Sequence, residues 1–208
     1  MWRTTLGHRP IVENPELSLI DPASFRDPVT DRNYLLWKDN TNALCKGSSP
    51  TSIVIQEVSA DGLGRLGPAM RILTNGTPWE GAVVEAPTMI YREGYYYLFY
   101  SGNTFDIERY GIGVARSASP TGPFVKSPAN PIVQSDETFD GPGGQDVVQD
   151  RSGEWRILYH ARLCPRSADG TRPSICPPPH GDKRYLMIDA VEWTPDRWPR
   201  VHDGTPSP

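Results

Sequence analysis

Residues 79–103 read WEGAVVEAPTMIYREGYYYLFYSGN. Glu85 stands at the entrance to an apolar run, Ala86 to Tyr91. A tight turn, Arg92-Glu93-Gly94, follows, and an aromatic-rich run returns from Tyr95 to Ser101. Two β-forming runs around a Gly-containing turn predict a hairpin. On both sides of this stretch the plan recurs with a different polar residue at the front.

Working outward, three units emerge, at about 19–74, 83–127 and 143–203. In the first, Ile20 to Phe25 leads to a turn at Pro28 to Arg32 and then to Tyr34 to Lys38. In the third, Gln145 to Gln149 leads to Glu154 to His160. Two further short runs complete each unit. Asp21 and Glu85 lie 64 residues apart, and Glu85 and Gln145 lie 60 apart. Tyr34, Tyr97 and Ile157 of the second runs lie 13, 12 and 12 residues beyond these front residues. Four short strands at a fixed period are the signature of a β-propeller. The second runs, YLLWK, YYYLFYS and WRILYHA, are apolar on both faces, as a sheet packed between two neighbours requires. The alternative is a β-sandwich with chance spacing.

Composition agrees with an all-β chain. Pro and Gly number 22 and 19 in 208 residues, which breaks any helical period. A net charge of −4 argues against a nucleic-acid partner, and no run of eighteen apolar residues suggests a membrane span. No basic-then-apolar leader opens the chain, so no signal peptide is expected in it. Cys164 and Cys176 flank a loop rich in Pro, Ser and Arg; a bridge between them would pin it, and free thiols would leave it loose. Cys45 is left over. Asn75-Gly76-Thr77 forms a glycosylation sequon, which agrees with secretion.

Innermost propeller strands line a central channel, so front residues of successive blades meet at one mouth. The period assigns Asp21, Glu85 and Gln145 to equivalent positions there. Two carboxyls in different environments are what glycoside hydrolysis uses. Asp27, in Phe25-Arg26-Asp27-Pro28, invites comparison with a second aspartate motif. It lies only 7 residues before Tyr34, too close for a strand and a turn, and reads as a turn residue.

These pieces, in this order, resemble glycoside hydrolase family 43, five-bladed propeller enzymes of arabinose- and xylose-containing polysaccharides. The resemblance rests on Ile20-Asp21-Pro22, Trp79-Glu80-Gly81, Val84-Glu85-Ala86-Pro87, Tyr97 to Ser101, Gly111 to Ser117 with Gly122-Pro123-Phe124, Gly141 to Gly144, Tyr159-His160 and Trp198-Pro199. It implies an inverting glycosidase, secreted, with a carbohydrate substrate. Glu85 would be the general acid. Asp21 would tune the pKa of that acid and orient it, since a neighbouring like charge raises a carboxyl pKa. Arg184, 39 residues beyond Gln145, matches an arginine that contacts the sugar. Gln145, Trp79 and His160 are further substrate-binding candidates, Trp79 being equally readable as core, and Phe105 is placed to edge the cleft. His8, His180 and His202 carry no metal spacing.

Two departures from the family stand out. Its general base is an aspartate of the first blade, well upstream of the Ile-Asp-Pro motif, yet only 20 residues precede Asp21. The expectation is a C-terminal part lacking the first blades: a partial five-bladed propeller, able to self-associate, and without its base either inert or a carbohydrate-binding module. The family also often sets a histidine after Gly-Pro-Gly, near a channel ion or water. Here Gly144-Gln145-Asp146 follows, and Gln145 is a poor metal ligand. No cofactor is expected to be required, a channel cation lacks histidine support, and Asp146 should point away from the face of Gln145.

Overall fold

The computed structural model describes residues 10–14, 18–40, 50–167, 169–171 and 183–207. They form three four-stranded antiparallel sheets in simple sequential order. The first holds β1 (Ser18–Arg26), β2 (Asn33–Asn40), β3 (Ser52–Val58) and β4 (Arg65–Thr74). The second holds β5 (Val84–Arg92), β6 (Tyr95–Gly102), β7 (Gly111–Ser117) and β8 (Val125–Lys126). The third holds β9 (Phe139–Gln149), β10 (Trp155–Leu163), β11 (Arg184–Trp193) and β12 (Pro199–Val201). The all-β reading holds, and the sheets are propeller blades. β9 starts at Phe139, earlier than expected, so the Gly141 to Gly144 segment belongs to the strand.

The stretch that organises the chain folds as read. Arg92 pairs with Tyr95, leaving Glu93 and Gly94 as a two-residue turn at φ +48° and +87°. Two positive φ values give the turn the twist that matches its flanking strands. β6 is then buried on both sides. Tyr96, Leu98 and Tyr100 pack with Phe25, Leu36, Ile53 and Ile55 of the first sheet. Tyr97 and Phe99 pack with Val147, Ile157, Tyr159 and Val191 of the third. Two hydrophobic layers thus hold three sheets in a row, and β6 contributes to both.

Polar ties cross the same boundaries. Tyr96 donates to Asp27 at 2.9 Å, and Asp27 also accepts from Thr30 at 2.5 Å and from the Val29 N–H at 3.0 Å. Burial pushes the Asp27 carboxyl up, but these bonds outweigh it and hold it below its usual range. Asp27 is therefore the turn residue the spacing suggested. Arg92 lies over the Trp193 ring at 4.4 Å, and Arg116 donates to the Asp196 carbonyl at 2.7 Å. The far face of the third sheet leaves Val148, Leu158, Leu186 and Ile188 exposed.

Each inner strand breaks register at its mouth end. Between Ile20 and Ala23, between Glu85 and Thr88, and between Gly143 and Asp146, an extra residue is inserted opposite the second strand. The inserted residues Asp21, Ala86 and Gly144 have φ of +56°, +49° and +62°. These are β-bulges with a left-handed first residue. They correct the expected equivalence: Asp21 corresponds to Ala86 and Gly144, whereas Glu85 corresponds to Ile20 and Gly143. Gln145 corresponds to Pro22 and Pro87. Counting along the chain misses this because the loops between blades differ in length by enough to hide a one-residue offset.

Candidate active site

The bulges bring the front residues together although they are out of step. The Ala86 N–H donates to Asp21 Oδ2 at 3.0 Å. Glu85 is 9% exposed. Its Oε2 accepts from Lys38 Nζ at 2.6 Å, and its Oε1 accepts from the Tyr110 hydroxyl at 2.7 Å. Lys38, the last residue of the YLLWK run, is 2% exposed. Asp21 thus touches the backbone next to Glu85 rather than its side chain, and its carboxylate braces the left-handed residue that aims Glu85.

Burial raises the Asp21 carboxyl above its ordinary value of 3.8; the Glu85 charge pushes the same way, and the Ala86 N–H and Lys38 pull against it. The sign for stability follows. A carboxyl that folding pushes up favours the folded state below its ordinary value, and the advantage is lost as pH rises through the folded value. Asp21→Asn, permanently neutral, should raise the melting temperature at pH 7, with the gain shrinking toward pH 3. Melts at both pH values check this; an equal effect at both would show that burial does not disfavour the charge.

Gln145 is fixed at both ends of its amide. Its Nε2 donates to the Ala86 carbonyl at 2.5 Å, and its Oε1 accepts from Ser101 Oγ at 2.8 Å. Ser101 Oγ also accepts from the Gly144 N–H at 2.9 Å. Gln145 therefore links the second and third blades. Asp146 is exposed where Gln145 is buried. Asp21, Ala86, Thr88, Gly144, Gln145 and Asp146 line a cavity of about 440 Å³. Cavities of about 510 and 610 Å³ lie elsewhere, beside Trp198 and Phe25. Chemistry, not size, singles out the smaller one.

His160 lies opposite Gly143 on β10, with its ring stacked on Tyr110 at 6.3 Å between centroids. Burial, then the Arg184 charge, lowers its pKa to about 4, so it is neutral at pH 7. Arg184 is exposed at the rim, 5.0 Å from the ring of Phe105. Trp79 lies against Gly102, where a Cβ would sit 2.4 Å from the indole, and against Gly113 and Tyr100. This is a packing environment. His202 sits beside Asp203 at 2.9 Å on the surface. His8, His180, Cys45 and Cys176 lie outside the described residues; Cys164 is disulfide-bonded.

The residues at the channel do not fit a metal ion. The Gln145 amide is engaged by protein partners at both ends, and among the described residues no three His, Cys, Asp or Glu side chains converge. His160 Nε2 is buried with no protein hydrogen bond, a position suited to a water. Sequence reasoning missed Lys38 and Tyr110. Lys38 closes an apolar run and is followed by Asp39, which reads as the polar end of a strand, and Tyr110, in the loop before β7, gave no signal.

The first two blades thus bring together a buried, lysine-paired glutamate and a desolvated aspartate, two carboxyls in different environments. The model of glycosyl hydrolases family 43 matches residues 2–199, and the chain belongs to that family. A xylosidase/arabinosidase of Butyrivibrio fibrisolvens is 28% identical over 89% of this chain and 34% of that protein. An arabinan endo-1,5-alpha-L-arabinosidase C of Emericella nidulans is 37% identical over 37% of this chain and 30% of its own length. The crystal structure of a thermostable family-43 glycoside hydrolase superposes with a TM-score of 0.77 at 26% identity, over 96% of this chain and 62% of that one. The chain thus spans about a third of the first curated relative and about three fifths of this solved structure.

Proposed function

We propose that the protein hydrolyses glycosidic bonds in arabinose- or xylose-containing polysaccharides or oligosaccharides, with inversion at the anomeric carbon. The observation that carries this is Glu85, buried beside Asp21 and held by donors on both oxygens. Glu85 protonates the leaving oxygen while a second carboxylate activates water on the opposite face of the sugar. Asp21 braces the Ala86 bulge and adds negative charge near the acid. His160 and Arg184 contribute the sugar-facing rim, and Gln145 holds the two blades that frame it. Acid–base hydrolysis of this kind requires no cofactor. The names of the relatives support the sugars, and the Cys164 disulfide supports secretion. The exposed Val148, Leu158, Leu186 and Ile188 face is the surface through which copies would associate.

Proton NMR of the first-formed sugar tests the proposal on arabino- and xylo-oligosaccharides. Release of the anomer opposite to that of the substrate is expected. Release with retained configuration would sink the inverting assignment, and tight binding without release would favour a carbohydrate-binding module.

A further inference from the structure

The polar position on each second strand points to a role for two residues outside the expected set. By register, Lys38, Ser101 and His160 are counterparts on their three blades, each paired beside the bulge. Each is a polar residue that directly follows an apolar stretch of its strand, Leu35 to Trp37, Tyr95 to Tyr100 or Ile157 to Tyr159. Ser101 serves Gln145, and His160 stacks on Tyr110. Lys38 reaches out of the first blade to the second and meets Glu85.

An ionised carboxylate has about four lone-pair sites over its two oxygens. Lys38 takes one on Oε2, and Tyr110 takes one on Oε1. About 12% of the Glu85 side chain remains exposed. Both donors are immobilised. Lys38 is fully buried, and the Tyr110 ring is wedged between His160 and Gly143, where a Cβ would come within 2.0 Å of the ring. A buried ion pair is weak evidence for stability, because desolvation offsets most of its attraction. That makes a task at the carboxyl the better account of a lysine inside this strand.

We propose that Lys38 and Tyr110 are positioning residues for Glu85: by occupying one lone pair on each oxygen they fix which edge of the carboxyl is offered to a sugar oxygen. The inference rests on the reading of Glu85 as the acid. The other groups whose charge or hydrogen bonding bears on Glu85 are Asp21 on β1, Ser101 on β6 and His160 on β10, with Arg184 on β11 behind His160. Lys38 is the one cation paired directly with Glu85 among the described residues.

The test is a pH titration of the Glu85 side-chain carbon by 13C NMR, with the signal assigned from Glu85→Gln. It needs no turnover. Lys38→Met should move the midpoint up by about one unit or more, a tenfold change in proton affinity, since an opposite charge at this range favours the ionised form. Lys38→Arg should restore most of the shift. Tyr110→Phe, which keeps the ring, should move the midpoint the same way by less. If Lys38→Met does not fold, Tyr110→Phe decides. A midpoint unchanged in Tyr110→Phe, or unchanged in a folded Lys38→Met, overturns the inference. The acid reading fails separately, through hydrolysis that is insensitive to Glu85→Gln, whatever the midpoints do.

Discussion

Glu85→Gln is expected to cut hydrolysis of natural oligosaccharides by about 10²–10⁴-fold, the usual worth of a positioned general acid. Glutamine keeps the shape and can still accept from Lys38 or Tyr110, but it has no proton to give. The loss should therefore depend on the leaving group. A sugar or methoxyphenol leaves as a strong base and needs the proton, so the full loss applies. A dinitrophenolate leaves unaided, so most of the rate should survive. Steady-state kinetics across a series of aryl arabinosides and xylosides reads the slope directly. Equal losses across the series would mean that Glu85 holds substrate and transfers no proton.

The second large effect concerns stability. Glu80, in the short 3-10 turn Pro78–Glu80, has no exposed surface. It accepts from Lys126 Nζ at 2.6 Å, Tyr100 at 2.7 Å, and the Gly76 and Thr77 N–H groups at 2.6 and 3.0 Å. Burial pushes this carboxyl up, but the four donors outweigh it and hold it below its ordinary value of 4.5. Glu80→Gln would set an amide N–H₂ against donors and take the carboxylate from Lys126, leaving it the Thr74 carbonyl at 2.8 Å. Breaking such a buried pair costs about 3–5 kcal/mol, which for a chain of this size lowers Tm by roughly 6–20 °C. The wild-type contribution should be present above pH 4.5 and fade as pH falls through the lower folded value. The variant should therefore lose Tm at pH 7 and converge on wild type in acid. A small, pH-independent loss would show that the turn does not depend on the charge.

Much of the fold was legible because the pattern is redundant. Residues Tyr95 to Ser101 are apolar without alternation, and only a sheet covered on both sides accepts that. Glu93-Gly94 marked its own turn. The closeness of Asp21 and Glu85 was also legible, since both stand at the front of a repeat, one and two residues before a proline. Their register was not. Asp and Gly are ordinary at a left-handed position, but Ala86 is not, so nothing local announced the second bulge. Trp79 was ambiguous for a different reason. Its environment is set by Gly102, Gly111 and Gly113 from other strands, which a linear reading does not bring together. Tyr110 reaches Glu85 only because Gly143, on another blade, leaves room for its ring.

The three bulges also separate two tasks within one strand. A pleated strand has a parity: odd positions face one way and even positions the other. The inserted residue at Asp21, Ala86 or Gly144 is a phase slip that resets this parity at the mouth. Downstream lies the wall of the blade, where Met89 and Val147, at matching register positions, are both buried. Upstream, the rim is free of that phase and can carry Ile20, Glu85 or Gly143 without disturbing it. Rim and wall are thus separate cassettes spliced at the slip. The first blade thus sets a brace at the slip, the second a carboxyl just upstream of it and the third an amide link just downstream.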